Sequence, residues 1–203
     1  DHLKNREAAA LVVDGRLQDL FIETDALAPG TIFKAKADRP AKGQGGVFLS
    51  MSEDKGFLRK IKGVSQGQSL LVQVTGYAEA EKAVPVTTKL LFKSRYVIVT
   101  PEAPGLNISR SIRDEELRDR LLEFMHDALA PLSYGMILRS SCLTADFDDI
   151  LEDASLVLEA AQTVLTDEDP GPCMLLAAEG PHQMAWREWG DVDSVENDAG
   201  CIE

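Results

Sequence analysis

The hydrophobic pattern of this chain changes period near residue 100. Before that point short apolar runs alternate with polar positions, as in Ile32, Lys34 and Lys36 set against Phe33, Ala35 and Ala37. A period of two belongs to strands. The stretch AAALVVDGRLQDLFIE (8–23) predicts a hairpin, because two apolar runs flank Asp14-Gly15, a dipeptide that supplies the positive φ of a tight turn. Five short segments follow between 30 and 92: TIFKAKA, GGVFLSM, GFLRK, SLLVQVTG and PVTTKLLF, separated by KGQG, SEDKG and SQGQ. Short strands at this spacing predict a small closed barrel. RYVIVTP (95–101) reads as one more strand, stopped by Pro101.

Beyond it the period becomes helical. SIRDEELRDRLLEFMHDALA (111–130) carries Leu117, Leu121, Phe124, Met125 and Leu129 on one face, with Ser111 as the expected N-cap and Asp114 as its partner. TADFDDILEDASLVLEAAQTVLTD (144–167) predicts a longer helix, with Thr144 as cap and Asp146, Asp148 and Asp149 at the positive end of its dipole. PGP (170–172) breaks the chain, after which CMLLAA and HQMAWREW read as two strands joined by EGP. The tail from 191 is polar and acidic and reads as a linker or a segment without structure of its own.

At 203 residues the chain has room for one large domain or two small ones, and its 44% hydrophobic content is ordinary for a globular protein. No apolar run approaches the roughly 20 residues that cross a bilayer, so no membrane contact is expected. The first residue is Asp1, and the chain reads as a fragment or as one trimmed at its start. Cys142, Cys173 and Cys201 are far apart, with no C-x-x-C pair, and His2, His126 and His182 are scattered. This argues against a structural zinc site or a disulfide framework and fits buried thiols in a reducing cytoplasm.

The formal net charge of −13 speaks against a nucleic-acid binder until its distribution is considered. Residues 1–110 carry 16 Lys/Arg against 12 Asp/Glu, a net of +4, whereas 111–203 carry 5 against 22, a net of −17. The segment 31–95 alone is +7, with 12 basic and 5 acidic residues. Such asymmetry points to a polyanion on the basic part; clustering of charge on solvated faces is the bland alternative.

The chemistry is concentrated in GMILRSSCL (135–143), where an apolar strand ends on Arg139, Ser140 and Ser141. Such a strand has either reached solvent or built an anion pocket, since a guanidinium fork with a neighbouring hydroxyl matches an oxyanion. The chain contains no G-x-x-x-x-G-K-[ST] loop, no H-E-x-x-H and no Ser/His/Asp order of catalytic type. Acidic residues within 144–167 read as a solvated helix face, not a metal cluster.

Two segments read together resemble the amino-terminal half of the RNase E/G family of bacterial endoribonucleases. VTTKLLFKSRYVIVTPEAPGLNISRSI (86–112) is similar to the family's paired threonines, tyrosine-containing strand and Pro turn into ISRRI, and GMILRSSCL is similar to its G-x-I-[VI]-R-T-A. LVVDGRLQDLFIE resembles the family's opening, and GTIFKAKADR with GGVFLSM and GFL resembles its RNA-binding barrel, shortened at KIKGVSQGQ (60–68).

The resemblance implies an α+β fold: an OB-type antiparallel β-barrel inserted in an RNase H-like subdomain, followed by an α/β 5′-sensor subdomain. The expected boundaries are 1–29 and 167–190 for the RNase H-like part, 30–86 for the barrel, 87–166 for the sensor and 191–203 for an acidic tail. The strands near 173–189 are expected to pair with the 8–23 hairpin. Arg139 and Ser140 correspond to the residues that grip the 5′-monophosphate, with Ser94 and Ile98 on the opposite wall. Ser94 departs from the family's glycine, and its bulk is expected to hinder the phosphate, so that Ser94→Gly would strengthen recognition. Phe48 and Phe57 correspond to base-stacking rings and Lys82 to a backbone contact, while alternation leaves open whether the two rings fill the core instead. Lys34, Lys36, Lys42, Lys55, Arg59, Lys60 and Lys62 would supply the electrostatic groove.

No catalytic or metal-binding residue is expected in this chain; the family's magnesium belongs to a later subdomain. Asp191 and Asp193 do not fit its motif. The implied partner is single-stranded RNA in the cytoplasm, with a homo-oligomeric parent protein as a further expectation. Two readings remain: the substrate-binding half of a nuclease, or a non-catalytic RNA-binding regulator. A protein-interaction module using the acidic 111–203 surface is a weaker third.

Overall fold

The computed structural model describes residues 2, 3, 5–41, 45–59, 63–129 and 131–197. The elements in chain order are β1 (His2–Leu3), β2 (Arg6–Val13), β3 (Arg16–Ile22), β4 (Ile32–Ala41), β5 (Gly46–Met51), β6 (Asp54–Arg59), β7 (Ser69–Val74), β8 (Val84–Thr87), β9 (Phe92–Lys93), β10 (Val97–Thr100) and β11 (Leu106–Ile108). They continue with α1 (Glu115–Leu129), β12 (Gly135–Leu138), a 3-10 turn at Ser140–Leu143, α2 (Phe147–Leu165), β13 (Cys173–Leu176) and α3 (Pro181–Glu188). The chain is thus mixed α+β. It divides into two compact units, Asp1–Asp25 with Glu179–Glu203, and Ala26–Ala178.

In the larger unit, β4, β5, β6, β8 and β7 pair in that order, and β7 returns to β4 to close a five-stranded barrel. Alternation fills it: Phe33, Ala35, Ala37, Val47, Leu49, Met51, Leu58, Val72, Val74, Val84 and Val86 are buried together. The barrel is the OB-type one expected, antiparallel at every junction but one, where β6 and β8 run parallel. Directions cannot alternate around a ring with an odd number of strands, so one junction must be parallel.

Beside the barrel, β11, β12, β10 and β9 form a four-stranded sheet. Val97, Val99, Met136 and Leu138 from its strands join Leu121 and Met125 of α1 and Ile150, Ala154, Ala161 and Val164 of α2 in a second core. Ile32 belongs to that core while its neighbour Phe33 points into the barrel, so one strand serves both. Gly135 is required where β12 meets the 100–103 turn, for a Cβ there would lie 1.7 Å from the Ala103 carbonyl oxygen. Asp114, not Ser111, caps α1, its Oδ1 accepting from Leu117 N at 3.2 Å. The residue before α2 is Asp146 rather than Thr144.

The smaller unit holds β1–β2–β3 and α3. Asp14 and Gly15 take φ of 51° and 70° at the hairpin turn, as the sequence required. HQMAWREW, expected as a strand, is the helix α3: Gly180 precedes it, Pro181 opens it, and Gln183 Oε1 accepts from Gly180 N. Its partners are β2 and β3. Trp189 just beyond it stacks on Phe21, centroids 5.2 Å apart, and donates to Asp19. The expected pairing of 173–189 with the hairpin also fails, because β13 pairs with β4 of the barrel at Ile32–Lys34. There it occupies the edge that β5, paired further along at Lys36–Ala41, leaves uncovered.

Candidate nucleic-acid interface

The barrel's outer face follows from the register. In β5 and β6 the inward residues are Val47, Leu49, Met51, Gly56 and Leu58, which turns Phe48 and Phe57 outward. The two are direct cross-strand partners, with ring centroids 5.2 Å apart at 51°. Gly46 makes room for the arrangement, since a Cβ there would meet Phe57 Cζ at 2.6 Å. Both rings are half-buried rather than sealed in the core. Lys55 and Arg59, both exposed, stand two residues to either side of Phe57 on the same strand and therefore on the same face, each roughly 7 Å away along the backbone. Exposed Lys36 pairs with Ser50, which pairs with Lys55, extending the basic row across three strands.

Lys34 does not join that row. Its ammonium donates to Asp167 Oδ2 at 2.5 Å, to the Asp167 carbonyl at 2.8 Å and to the Asp169 carbonyl at 2.7 Å, and its side chain is only 11% exposed. An ammonium has three protons, and all are used within the protein. Lys82 is exposed and pairs with Glu79 at 2.5 Å. Lys42, Lys60 and Lys62 lie outside the described residues, as does Cys201.

The second constellation surrounds Arg139. The ladder places Ile98 of β10 opposite both Ile137 of β12 and Lys93 of β9, an exposed cation that sequence reasoning passed over. Arg139 follows Ile137 by two residues in extended backbone, so its side chain leaves on the same face. The Arg139 guanidinium donates through Nη1 to the Ser94 carbonyl, and its backbone N–H donates to Tyr96 O at 2.7 Å. Ser140 is exposed, and Ser141 Oγ donates to Arg95 O at 2.5 Å. Ser94 thus lies in the 94–97 turn and Ile98 just after it on β10, while Arg139, which follows β12, bonds that turn and leads into Ser140.

Ser94 differs from its expected part. Its hydroxyl donates to Asp153 Oδ2 of α2 at 2.5 Å, and the same carboxylate oxygen accepts Tyr96 N at 2.9 Å. No local spacing links Asp153 to that turn, and sequence reasoning missed it. Cys142, in the 3-10 turn, approaches Tyr96 O at 3.2 Å, and burial pushes its thiol up to about 12. Among the described residues no group of three or more His, Cys, Asp or Glu is arranged to hold a metal ion. Nor is any helix long and apolar enough to cross a membrane.

Comparison with known proteins adds an independent line. Residues 92–197 match the model described as the Ribonuclease E/G family. The chain is similar to Ribonuclease G of Haemophilus influenzae, with 26% identity over 194 residues that cover 83% of this chain and 39% of that protein. It is similar to Ribonuclease E of Synechocystis sp., with 26% identity over 167 residues, 74% of this chain and 25% of that protein. Ribonuclease G of Escherichia coli K12 is 25% identical over 215 residues, 93% of this chain and 44% of that protein. The chain therefore spans less than half the length of these curated relatives.

Proposed function

From the premise that this chain belongs to the ribonuclease E/G family, we propose that it is the substrate-binding half of an RNase E/G-type endoribonuclease. It binds single-stranded RNA on the barrel and recognises a 5′-monophosphate end at Arg139. In this reading 30–86 is the RNA-binding barrel and 87–166 the 5′ sensor, and the hairpin unit is the RNase H-like part. The setting is cytoplasmic RNA processing and decay.

The observation that carries the proposal is the outward, in-register Phe48–Phe57 pair with Lys55 and Arg59 flanking it on β6. A ring exposes a π face to any base, and stacking is worth roughly 1–3 kcal/mol per base with little sequence preference. Cations on either side attract the phosphates that connect stacked bases, which makes the affinity salt-dependent. Core-forming phenylalanines would have alternated the other way.

For the 5′ end, the Arg139 fork offers charge-assisted bonds to phosphate oxygens, stronger than neutral ones. Lys93 adds positive charge on the same face. Lys34 has no part in RNA contact, because its protons are spent on Asp167 and Asp169.

Titration of the chain with short single-stranded and duplex RNA at two salt concentrations tests the reading. The single strand binds more tightly, and its affinity falls as salt rises. Equal binding of duplex and single strand, or binding insensitive to salt, overturns it.

A further inference from the structure

The turn at 94–97 is held from two elements distant in sequence. Its three successive carbonyls are taken by the segment that begins at Arg139. Arg139 Nη1 bonds Ser94 O, Ser141 Oγ bonds Arg95 O at 2.5 Å, and Arg139 N bonds Tyr96 O at 2.7 Å. Two donors of the same turn go to α2, where Asp153 Oδ2 receives the Ser94 hydroxyl at 2.5 Å and Tyr96 N–H at 2.9 Å. Asp153 is half-buried and lies 59 residues from Ser94 in the chain.

We infer that Asp153 is a positioning residue for 5′-phosphate recognition: it fixes the 94–97 turn, and the turn's Ser94 carbonyl fixes the Arg139 guanidinium. This rests on the 5′-end reading given above. Ser94 is on this account a link between helix and turn, not a ligand of phosphate. A hydroxyl has one proton, and the contact with a carboxylate at 2.5 Å outcompetes the 3.3 Å approach to Val97 O. Arginine has several rotatable bonds, and a guanidinium held in place by the Ser94 carbonyl loses less freedom when it closes on an anion. A carboxylate so near an anion site opposes the ligand by its charge. Its two hydrogen bonds, not its charge, are what the pocket uses.

This reverses the expectation for Ser94→Gly. Deleting the side chain removes the tether to α2 rather than a steric obstacle, so recognition weakens.

The test is equilibrium titration of the full 203-residue chain with one short single-stranded RNA carrying either a 5′-monophosphate or a 5′-hydroxyl. The readout is the ratio of the two affinities. The wild type is expected to favour the phosphate about tenfold or more, as two charge-assisted bonds allow. Asp153→Ala brings the ratio to within about twofold of unity, and Ser94→Ala and Ser94→Gly lower it about threefold. Asp153→Asn keeps the wild-type ratio or exceeds it, because the amide oxygen still accepts while the opposing charge is gone. Affinity for the 5′-hydroxyl RNA, which depends on the barrel, stays constant across the series, whereas a general structural loss would lower it. A wild-type ratio preserved in Asp153→Ala overturns the inference and leaves the 5′-end reading standing. A ratio of one in the wild type removes both. Should Asp153→Ala not fold, an unchanged ratio in Ser94→Ala and Ser94→Gly overturns the inference on its own.

Discussion

Lys34 on β4 and Asp167 just past the end of α2 form an ion pair at 2.5 Å across 133 residues of sequence. The same ammonium also closes onto the Asp167 and Asp169 carbonyls. The pair ties the barrel to the segment that follows α2. The hydrogen bond from Lys34 holds the Asp167 carboxyl below the usual carboxylate range. A carboxyl with a lowered folded pKa stabilises the native state above its unfolded pKa, near 4, and that contribution is lost as pH falls through the folded value. Lys34→Met is therefore expected to melt a few degrees below wild type at neutral pH. The gap narrows as pH falls below about 4. Calorimetry across that range decides the point; a gap that widens in acid contradicts the assignment.

Phe57→Ala is expected to weaken single-stranded RNA binding by roughly 1–3 kcal/mol, with a smaller loss for Phe48→Ala. Neither should greatly change the melting temperature, because both rings lie on the outer face. Leu49→Ala, one residue along and fully buried, should do the opposite, costing about 2–5 kcal/mol of stability. Anisotropy titration and thermal denaturation of the three variants separate surface from core.

Arg139→Ala should abolish discrimination between 5′-monophosphate and 5′-hydroxyl RNA while leaving the affinity for the 5′-hydroxyl form nearly intact. Arg139→Lys should rescue only part of it, since an ammonium lacks the planar fork. A full rescue by lysine, measured by competition between the two RNAs, would show that charge alone is read.

Cys142 and Cys173 should differ in reactivity. Cys142 is 1% exposed, and burial pushes its thiol up to about 12. Cys173 is only half-buried, with its pKa also raised by burial and by the nearby Asp169 and Asp167 carboxylates. Thiolate is the reactive form. In a Cys201→Ser background, alkylation at pH 8 should modify Cys173 slowly and Cys142 only as the chain unfolds. Mass spectrometry of partly labelled protein identifies which site reacts first.

Local pattern by itself determined much of this protein. Alternation set Phe33, Ala35 and Ala37 inside the barrel, Asp14-Gly15 demanded the hairpin turn, and helical spacing marked α1 and α2. These features depend on neighbours in sequence, where backbone geometry alone dictates which side a residue faces. The short α3 was misread because eight residues carry too few turns to establish a period, although Gly180-Pro181 is a helix-start signal. Tertiary structure alone decided the partners. A strand pattern does not name the strand it pairs with, so β13 joined β4 rather than the hairpin. A lysine in a basic stretch reads as solvent-facing until Asp167 is brought to it from across the chain. Asp153 looks like any acid on a helix face until folding delivers it to Ser94 and Tyr96. Hydrogen bonds and ion pairs act over about 3 Å, and only the folded chain makes such distances between residues far apart in sequence.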